Sequence, residues 1–114
     1  KVFATAGLDL ANVYSDRRLA KSDADYEVNL QFALSLQLSA LHFLSKENDP
    51  RAWGVVQHNL GCSYIDLSNI RTDKAKSVAD IEKAIRHLEL SFEVRNPDDS
   101  LQYWVASCRL LKSR

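Results

Sequence analysis

Apolar residues recur every three or four positions along most of this chain, a spacing that predicts helices with one buried face. The clearest stretch begins at Asp49, whose short side chain can accept a backbone N–H. It continues with Pro50, which fits the first turn of a helix because no donor is needed there. We name the predicted helix over 49–67 A2. Its apolar face consists of Trp53, Val56, Leu60, Tyr64 and Leu67.

The same spacing predicts four further helices. Charged residues over 16–27 and polar residues over 68–76 predict long loops after the first and third helices. Ser77, with Asp80 three positions later, is typical of a capping box that starts a helix, and the Asn96-Pro97 pair ends that helix. These helices are A1 over 2–15, B1 over 29–45, B2 from 77 to about 95 and A3 from about 99 to the end.

Composition narrows the fold class and the kinds of partner. The chain has 114 residues, of which 46% are hydrophobic, enough for a single domain with its own core. Three glycines and two prolines are too few for the turns of an all-β domain, so we expect an all-α domain. Fifteen basic and fifteen acidic residues cancel, so no overall field attracts nucleic acid or an acidic membrane.

The cysteines and the longest apolar run indicate in which cellular compartment the protein is expected. Cys62 and Cys108 are too few for a disulfide framework and lie within apolar helical patterns, so we expect reduced thiols and a cytoplasmic location. The longest apolar run, 30–44, is interrupted by polar residues and falls short of the roughly 20 residues that a membrane span needs. We therefore expect no membrane partner.

Few residues suit catalysis or metal binding. His58 and Cys62 lie four positions apart on one helix face and could provide half of a metal site, with His87 as a further ligand. No second pair with ligand spacing accompanies them, so a surface histidine and a small buried thiol are the simpler interpretation. The sequence also has no G-x-S-x-G turn and no Gly-rich phosphate loop. We predict no catalytic residue, no metal and no cofactor.

The predicted helices repeat along the chain at an interval of about 50 residues. Ala11 and Gly61 occupy matching places, and stacked helical hairpins need a small residue where a large one packs against it. The alternative is that any helical bundle shows such coincidences. The other matching positions in the A helices are Phe3, Trp53 and Trp104; Leu10, Leu60 and Leu111; and Tyr14 and Tyr64.

These residues resemble a known family. The run Asn59-Leu60-Gly61 with Tyr64, followed by Ala84-Ile85, Leu88 and Ser91-Phe92, resembles a tetratricopeptide repeat. Trp53 ahead of Leu60, together with the predicted long loops, is similar to a bacterial long-loop variety, and those loops would explain why the period exceeds the usual 34 residues. The resemblance implies an all-α, right-handed stack of antiparallel helical hairpins, an α-solenoid of about five helices. It divides the single domain 1–114 into repeat 1 (about 1–48), repeat 2 (about 49–97) and a terminal helix (about 98–114).

The resemblance also implies a function. Such repeats bind an extended peptide or a helix of a partner protein in a concave groove lined by the A helices, and they carry no catalytic machinery. The alternative for the groove residues is that they are ordinary exposed polar positions of a helix. The groove positions that the resemblance assigns are Asn12 and Asp16 on A1; His58, Asn59, Cys62 and Asp66 on A2; and Arg109 on A3.

A second function stays open, a structural role in which the repeats space or dimerise a larger protein. Helix B1 carries a second apolar stripe, formed by Phe32, Leu36 and Phe43. Its own hairpin and the next could bury this stripe, because a B helix in a stack packs on both. Otherwise the stripe is an interface candidate for a homodimer or for a further repeat.

Overall fold

A computed structural model describes residues 2–94 of the chain, with side chains from residue 6 onward. Four long helices and no strand lie in this part, which confirms the all-α prediction for it. The predicted helix A3, with Arg109, lies outside the described residues. The elements are α1 (Val2–Tyr14), a short 3-10 helix (Arg17–Leu19), α2 (Asp23–Ala40), α3 (Pro50–Ile70) and α4 (Lys74–Val94).

The helices pack in the order in which they occur along the chain. The main contacts join α1 to α2, α2 to α3, and α3 to α4. Only residues 71–73 separate α3 from α4, so these two helices run antiparallel as a hairpin. The start of α3 is as predicted: Asp49 is the N-cap, its side chain accepts a hydrogen bond from the backbone N–H of Ala52, and Pro50 follows in the first turn.

Helix α2 begins earlier than predicted, so the prediction of a loop over 16–27 is wrong for its second half. Ser22 caps the helix, because its Oγ accepts a 3.1 Å hydrogen bond from the backbone N–H of Asp25. Asp23 and Asp25 in the first turn stabilise the positive end of the helix dipole. The regular helix also ends earlier than predicted, at Ala40, and residues 41–43 form a turn.

The predicted loop over 68–76 is wrong as well. Helix α3 continues to Ile70, and α4 begins at Lys74, where Oδ1 of Asp73 accepts hydrogen bonds from the backbone N–H groups of Ala75 (3.0 Å) and Lys76 (3.2 Å). Ser77 is therefore inside a helix and is not its cap. The long period of this hairpin comes from two helices of 21 residues each, and not from a long loop.

The core is formed mainly where α2 meets α3 and where α3 meets α4. Leu30 of α2 and Leu60 of α3 are fully buried in the first contact. In the second contact, a Cβ atom built on Gly61 would lie 2.6 Å from Cγ of Leu88, which is also fully buried. Gly61 thus lets the two helices approach closely, as predicted for the small residue of a hairpin. Among the described residues, no helix is long and apolar enough to cross a membrane.

Candidate functional site

The residues predicted to line the groove differ widely in accessibility. On α1, Asn12 is exposed, and Asp16 just beyond the helix is partly buried. On α3, Asn59, Cys62 and Asp66 are partly buried, whereas His58 is only 7% exposed. The interpretation of His58 as a surface histidine is therefore wrong. Of the predicted groove residues that the structure describes, only Asn12 is fully exposed.

His58 and Cys62 are neighbours on α3, with 3.5 Å between Nε2 and Sγ. Burial, and next the charge of Asp66, raises the pKa of the Cys62 thiol to about 11. The thiol is therefore protonated at neutral pH, and a protonated thiol is a poor nucleophile and a poor metal ligand. Within residues 2–94, no group of three or more His, Cys, Asp or Glu side chains is placed to hold a metal ion.

Tyr26 of α2 joins the end of α1 to α3. Its hydroxyl lies 3.2 Å from the carbonyl oxygen of Ser15 and 3.4 Å from Oδ2 of Asp66, and it can donate to either acceptor. The guanidinium of Arg17 lies 4.9 Å from the ring centroid. Burial, followed by the nearby Asp66 carboxylate, raises the pKa of Tyr26 to about 12, so the phenol remains neutral. One end of the predicted groove is therefore fixed by a residue that the sequence pattern did not assign to it.

The carboxylate of Asp16 is bound by a neighbouring residue, Arg18. Its carboxylate accepts hydrogen bonds from the backbone N–H and Nε of Arg18 at Oδ1 (3.0 and 3.1 Å) and from Nη2 at Oδ2 (2.9 Å). These bonds hold the pKa of Asp16 below its usual value. Because Arg18 already neutralises it, Asp16 offers little charge to a cationic partner.

A polar network between α3 and α4 was missed in the sequence. Nδ1 of His87 lies 2.6 Å from Oε1 of Gln57, and the imidazole stacks on Tyr64 with ring centroids 5.6 Å apart. The ammonium of Lys83 lies 5.6 Å from the centroid of the same tyrosine. Gln57 shares the helix face of Gly54, Gly61 and Tyr64, and this spacing is the signal that could have placed it against α4. His87 thus takes part in the contact between α3 and α4. It is not placed with His58 and Cys62 as a metal ligand.

A buried ion pair, also unpredicted, joins the end of α3 to α4. Nε of Arg71 lies 2.9 Å from Oδ2 of Asp80, whose side chain is buried. Neither atom makes an aligned hydrogen bond, so the contact is a charge pair. Burial raises the pKa of Asp80, although the charges of Arg71 and Lys83 oppose the shift. Asp80 therefore pairs with Arg71 and does not take part in the capping box that the sequence pattern predicted.

The second stripe of B1, now part of α2 and the turn after it, remains largely uncovered. Phe32 is 54% and Phe43 53% exposed, whereas Leu36 is partly buried. Tyr14 of α1 covers one side of Phe32, with ring centroids 5.5 Å apart. The chain's own hairpin packing thus buries only part of the stripe.

Comparison with known proteins returned no relatives. No family model, no curated protein sequence and no solved structure matches this chain significantly.

Proposed function

We propose that this chain is a protein-interaction module of the tetratricopeptide type that binds an extended peptide or a helix of a partner protein along the face shared by α1 and α3. The observation that carries the proposal is the close hairpin of α3 and α4. In it, Gly61 faces Leu88 without room for a side chain, and α2 packs on α3 in sequence order. In tetratricopeptide-type stacks, hairpins of this kind leave one face of each first helix free to bind a ligand.

The chemistry of the face favours a peptide backbone over a charged group. Asn12 and Asn59 each offer an amide donor and acceptor, which match the N–H and C=O groups of an extended peptide. Asp16 is neutralised by Arg18, and Asp66 lies within reach of the Tyr26 hydroxyl. Affinity should therefore depend weakly on salt, in contrast to a site built from clustered cations.

The experiment is selection of peptides from a displayed random library on the wild-type chain, followed by binding measurements on variants. The test variant is Asn12→Arg/Asn59→Arg, which places bulk and charge on the proposed face without disturbing a buried residue. The control variant is Asn69→Arg, an exposed asparagine that is also on α3, about 15 Å from Asn59 along the axis. Circular dichroism checks that all three proteins remain helical.

We expect selected peptides to bind the wild type and Asn69→Arg and to lose most of their affinity for the double variant. Equal binding to all three proteins would place the binding surface elsewhere. Failure to select any peptide would favour the structural alternative, in which the repeats space or dimerise a larger protein.

A further inference from the structure

Helix α1 buries little side-chain surface along residues 6–14, the part whose side chains the structure describes. Only Ala11 is fully buried there. Leu10 is 47% and Val13 52% exposed, and nothing lies within 4 Å of a Cβ atom built on Gly7. Hydrophobic stabilisation scales with buried apolar area, so the free energy that holds this part of α1 in place is small.

The contacts of α1 lie mostly on one side. Its main helix contact is with α2, and its contact with α3 is slight. Leu8 packs against the core but is only partly buried. The ring of Tyr14 lies 5.5 Å from that of Phe32, which remains 54% exposed. Helix α1 is therefore an addition to the side of α2 and does not form the centre of the fold.

Helix α2 is held on α3 by contacts that do not involve α1. Oγ of Ser63 donates a 3.1 Å hydrogen bond to Oε1 of Gln37, and both side chains are buried. Leu30 of α2 and Leu60 of α3 belong to one core cluster. The cap of α2, Ser22, also lies outside α1. If α1 separates, α2 keeps its cap and its contact with α3.

The Tyr26 hydroxyl has one hydrogen and two acceptors within reach. One acceptor is the carbonyl oxygen of Ser15, just after α1, and the other is Oδ2 of Asp66 on α3. If Ser15 moves away, the hydroxyl can still donate to Asp66, so no buried donor loses its partner. The turn after Ser15 stays on α2, because the Arg17 guanidinium lies over the Tyr26 ring and pairs with Asp23.

An isolated helix of 13 residues is marginal in water, so α1 unfolds once it leaves α2. We propose that α1 is a separate folding unit, which undocks and unfolds while α2, α3 and α4 remain folded. Local opening of this kind is typical of elements with few buried apolar contacts. Because α1 carries one side of the face proposed for peptides, the same equilibrium regulates that face. This second part rests on the proposed function, whereas the first does not.

The test is amide hydrogen exchange of the full 114-residue chain, followed by NMR at several low urea concentrations. We expect the amides of α1 to exchange about 100-fold or more faster than the slowest amides of α3, each relative to its rate in the unfolded chain. Exchange in α1 should depend weakly on urea, because the opening of α1 exposes little surface. Exchange in α3 should depend on urea steeply.

Two matched variants distinguish local from global opening. Ala11 of α1 and Ala84 of α4 are both fully buried, and glycine destabilises a helix at either place. Ala84→Gly should speed exchange in α3 and α4 about fivefold or more. It should leave α1 unchanged, because the state with α1 unfolded keeps the α3–α4 hairpin. Ala11→Gly should speed exchange in all four helices, because it destabilises the folded chain relative to both open states.

Two results would overturn the proposal. The first is that the slowest amides of α1 and α3 exchange with the same free energy and the same dependence on urea. The second is that Ala84→Gly speeds exchange in α1 as much as in α3. Either result would mean that α1 unfolds only together with the whole chain.

A peptide selected on the wild type in the experiment above tests the regulation of the face. A peptide that needs folded α1 slows exchange in α1 and α3 by the same factor. Slower exchange in α3 alone would mean that the peptide binds without α1, which rejects the regulation but not the binding. No slowing in any helix, or no selected peptide, would reject the proposed function, and the exchange without ligand would still decide whether α1 unfolds alone.

Discussion

Gln57 of α3 and His87 of α4 are joined by a 2.6 Å hydrogen bond between Oε1 and Nδ1. An amide oxygen only accepts, so the hydrogen lies on Nδ1, and Nε2 is the place where a second proton must bind. Burial first, and then the charges of Arg86 and Lys83, lower the pKa of His87. The folded state therefore favours the neutral form of the His87 imidazole.

The first prediction is that acid weakens the α3–α4 contact through His87. Because its folded-state pKa is lowered, the unfolded chain binds the proton more readily. The stabilising contribution is complete above the ordinary histidine pKa and is lost as the pH falls through that value toward the lowered one. Urea unfolding at pH 7.5 and pH 5 should show a smaller loss of stability for His87→Gln than for the wild type. His42→Gln, at an exposed position, is the control and should keep the wild-type loss. An unchanged loss in His87→Gln would contradict the prediction.

The second prediction concerns the glycine at the centre of the hairpin. Alanine at position 61 would place Cβ 2.6 Å from Cγ and 2.7 Å from Cδ2 of Leu88, and 3.3 Å from the carbonyl oxygen of Ala84. Overpacking of this kind costs about 1–3 kcal/mol, which opposes the roughly 1 kcal/mol that alanine gains in helix propensity. We expect Gly61→Ala to lower the free energy of unfolding. Gly7→Ala should raise it, because nothing lies within 4 Å of that position. Equal effects in the two variants would show that Leu88 moves aside without cost.

The third prediction is that the contributions of Arg71 and Asp80 to the free energy of unfolding depend on each other. Removing one partner of a buried pair leaves an uncompensated charge and costs up to about 3–5 kcal/mol, whereas replacing both by apolar groups is often nearly neutral. We expect Arg71→Met to destabilise the chain strongly and Arg71→Met/Asp80→Leu to recover much of the loss. A double-mutant cycle by urea unfolding measures the coupling. Simple additivity of the two single changes would mean that the pair contributes nothing specific.

The fourth prediction concerns the Cys62 thiol. With its pKa raised to about 11, its thiolate fraction at neutral pH is roughly 100-fold below that of an ordinary cysteine. In a Cys108→Ser background, alkylation of Cys62 by iodoacetamide at pH 7.5 should be clearly slower than that of glutathione, although the greater nucleophilicity of a high-pKa thiolate offsets part of the difference. Unfolding in urea should restore the ordinary rate. Rapid reaction of the folded chain would show that burial does not protect this face of α3.

The sequence pattern predicted some of these features and missed others for physical reasons. The start of α3 follows from a local rule, because a cap acts on its immediate neighbours in the chain. Gly61 is predictable for another reason: a small residue in a repeated helical pattern marks the place where a second helix packs. The sequence pattern misplaces the start of α4, because Ser68 suggests a polar loop and Ser77 suggests the cap of the next helix. In the structure both bond to backbone carbonyls, Ser77 to Ser68 at 2.8 Å and Ser68 to Ile65 at 2.7 Å.

The candidate site was harder to predict than the fold. Consecutive residues of a helix point about 100° apart. His58 and Asn59 therefore face different neighbours, and the packing between helices decides which of the two is buried. The ion pair of Arg71 with Asp80 likewise depends on two positions that only the folded hairpin brings together. Whether Asn12 and Asn59 bind a ligand remains a prediction.

The position of the Tyr26 hydroxyl has a consequence for the affinity of the proposed peptide. Its hydroxyl lies within reach of acceptors on two other parts of the chain, the carbonyl of Ser15 and the carboxylate of Asp66, so it helps to set the separation between α1 and α3. A peptide bound along both helices, as proposed, would have to fit that separation. Docking of α1 on α3 and binding of the proposed peptide would then be linked, and each would change the free energy of the other to the same extent. In such a linked system, a variant such as Tyr26→Phe would alter ligand affinity without contacting the ligand.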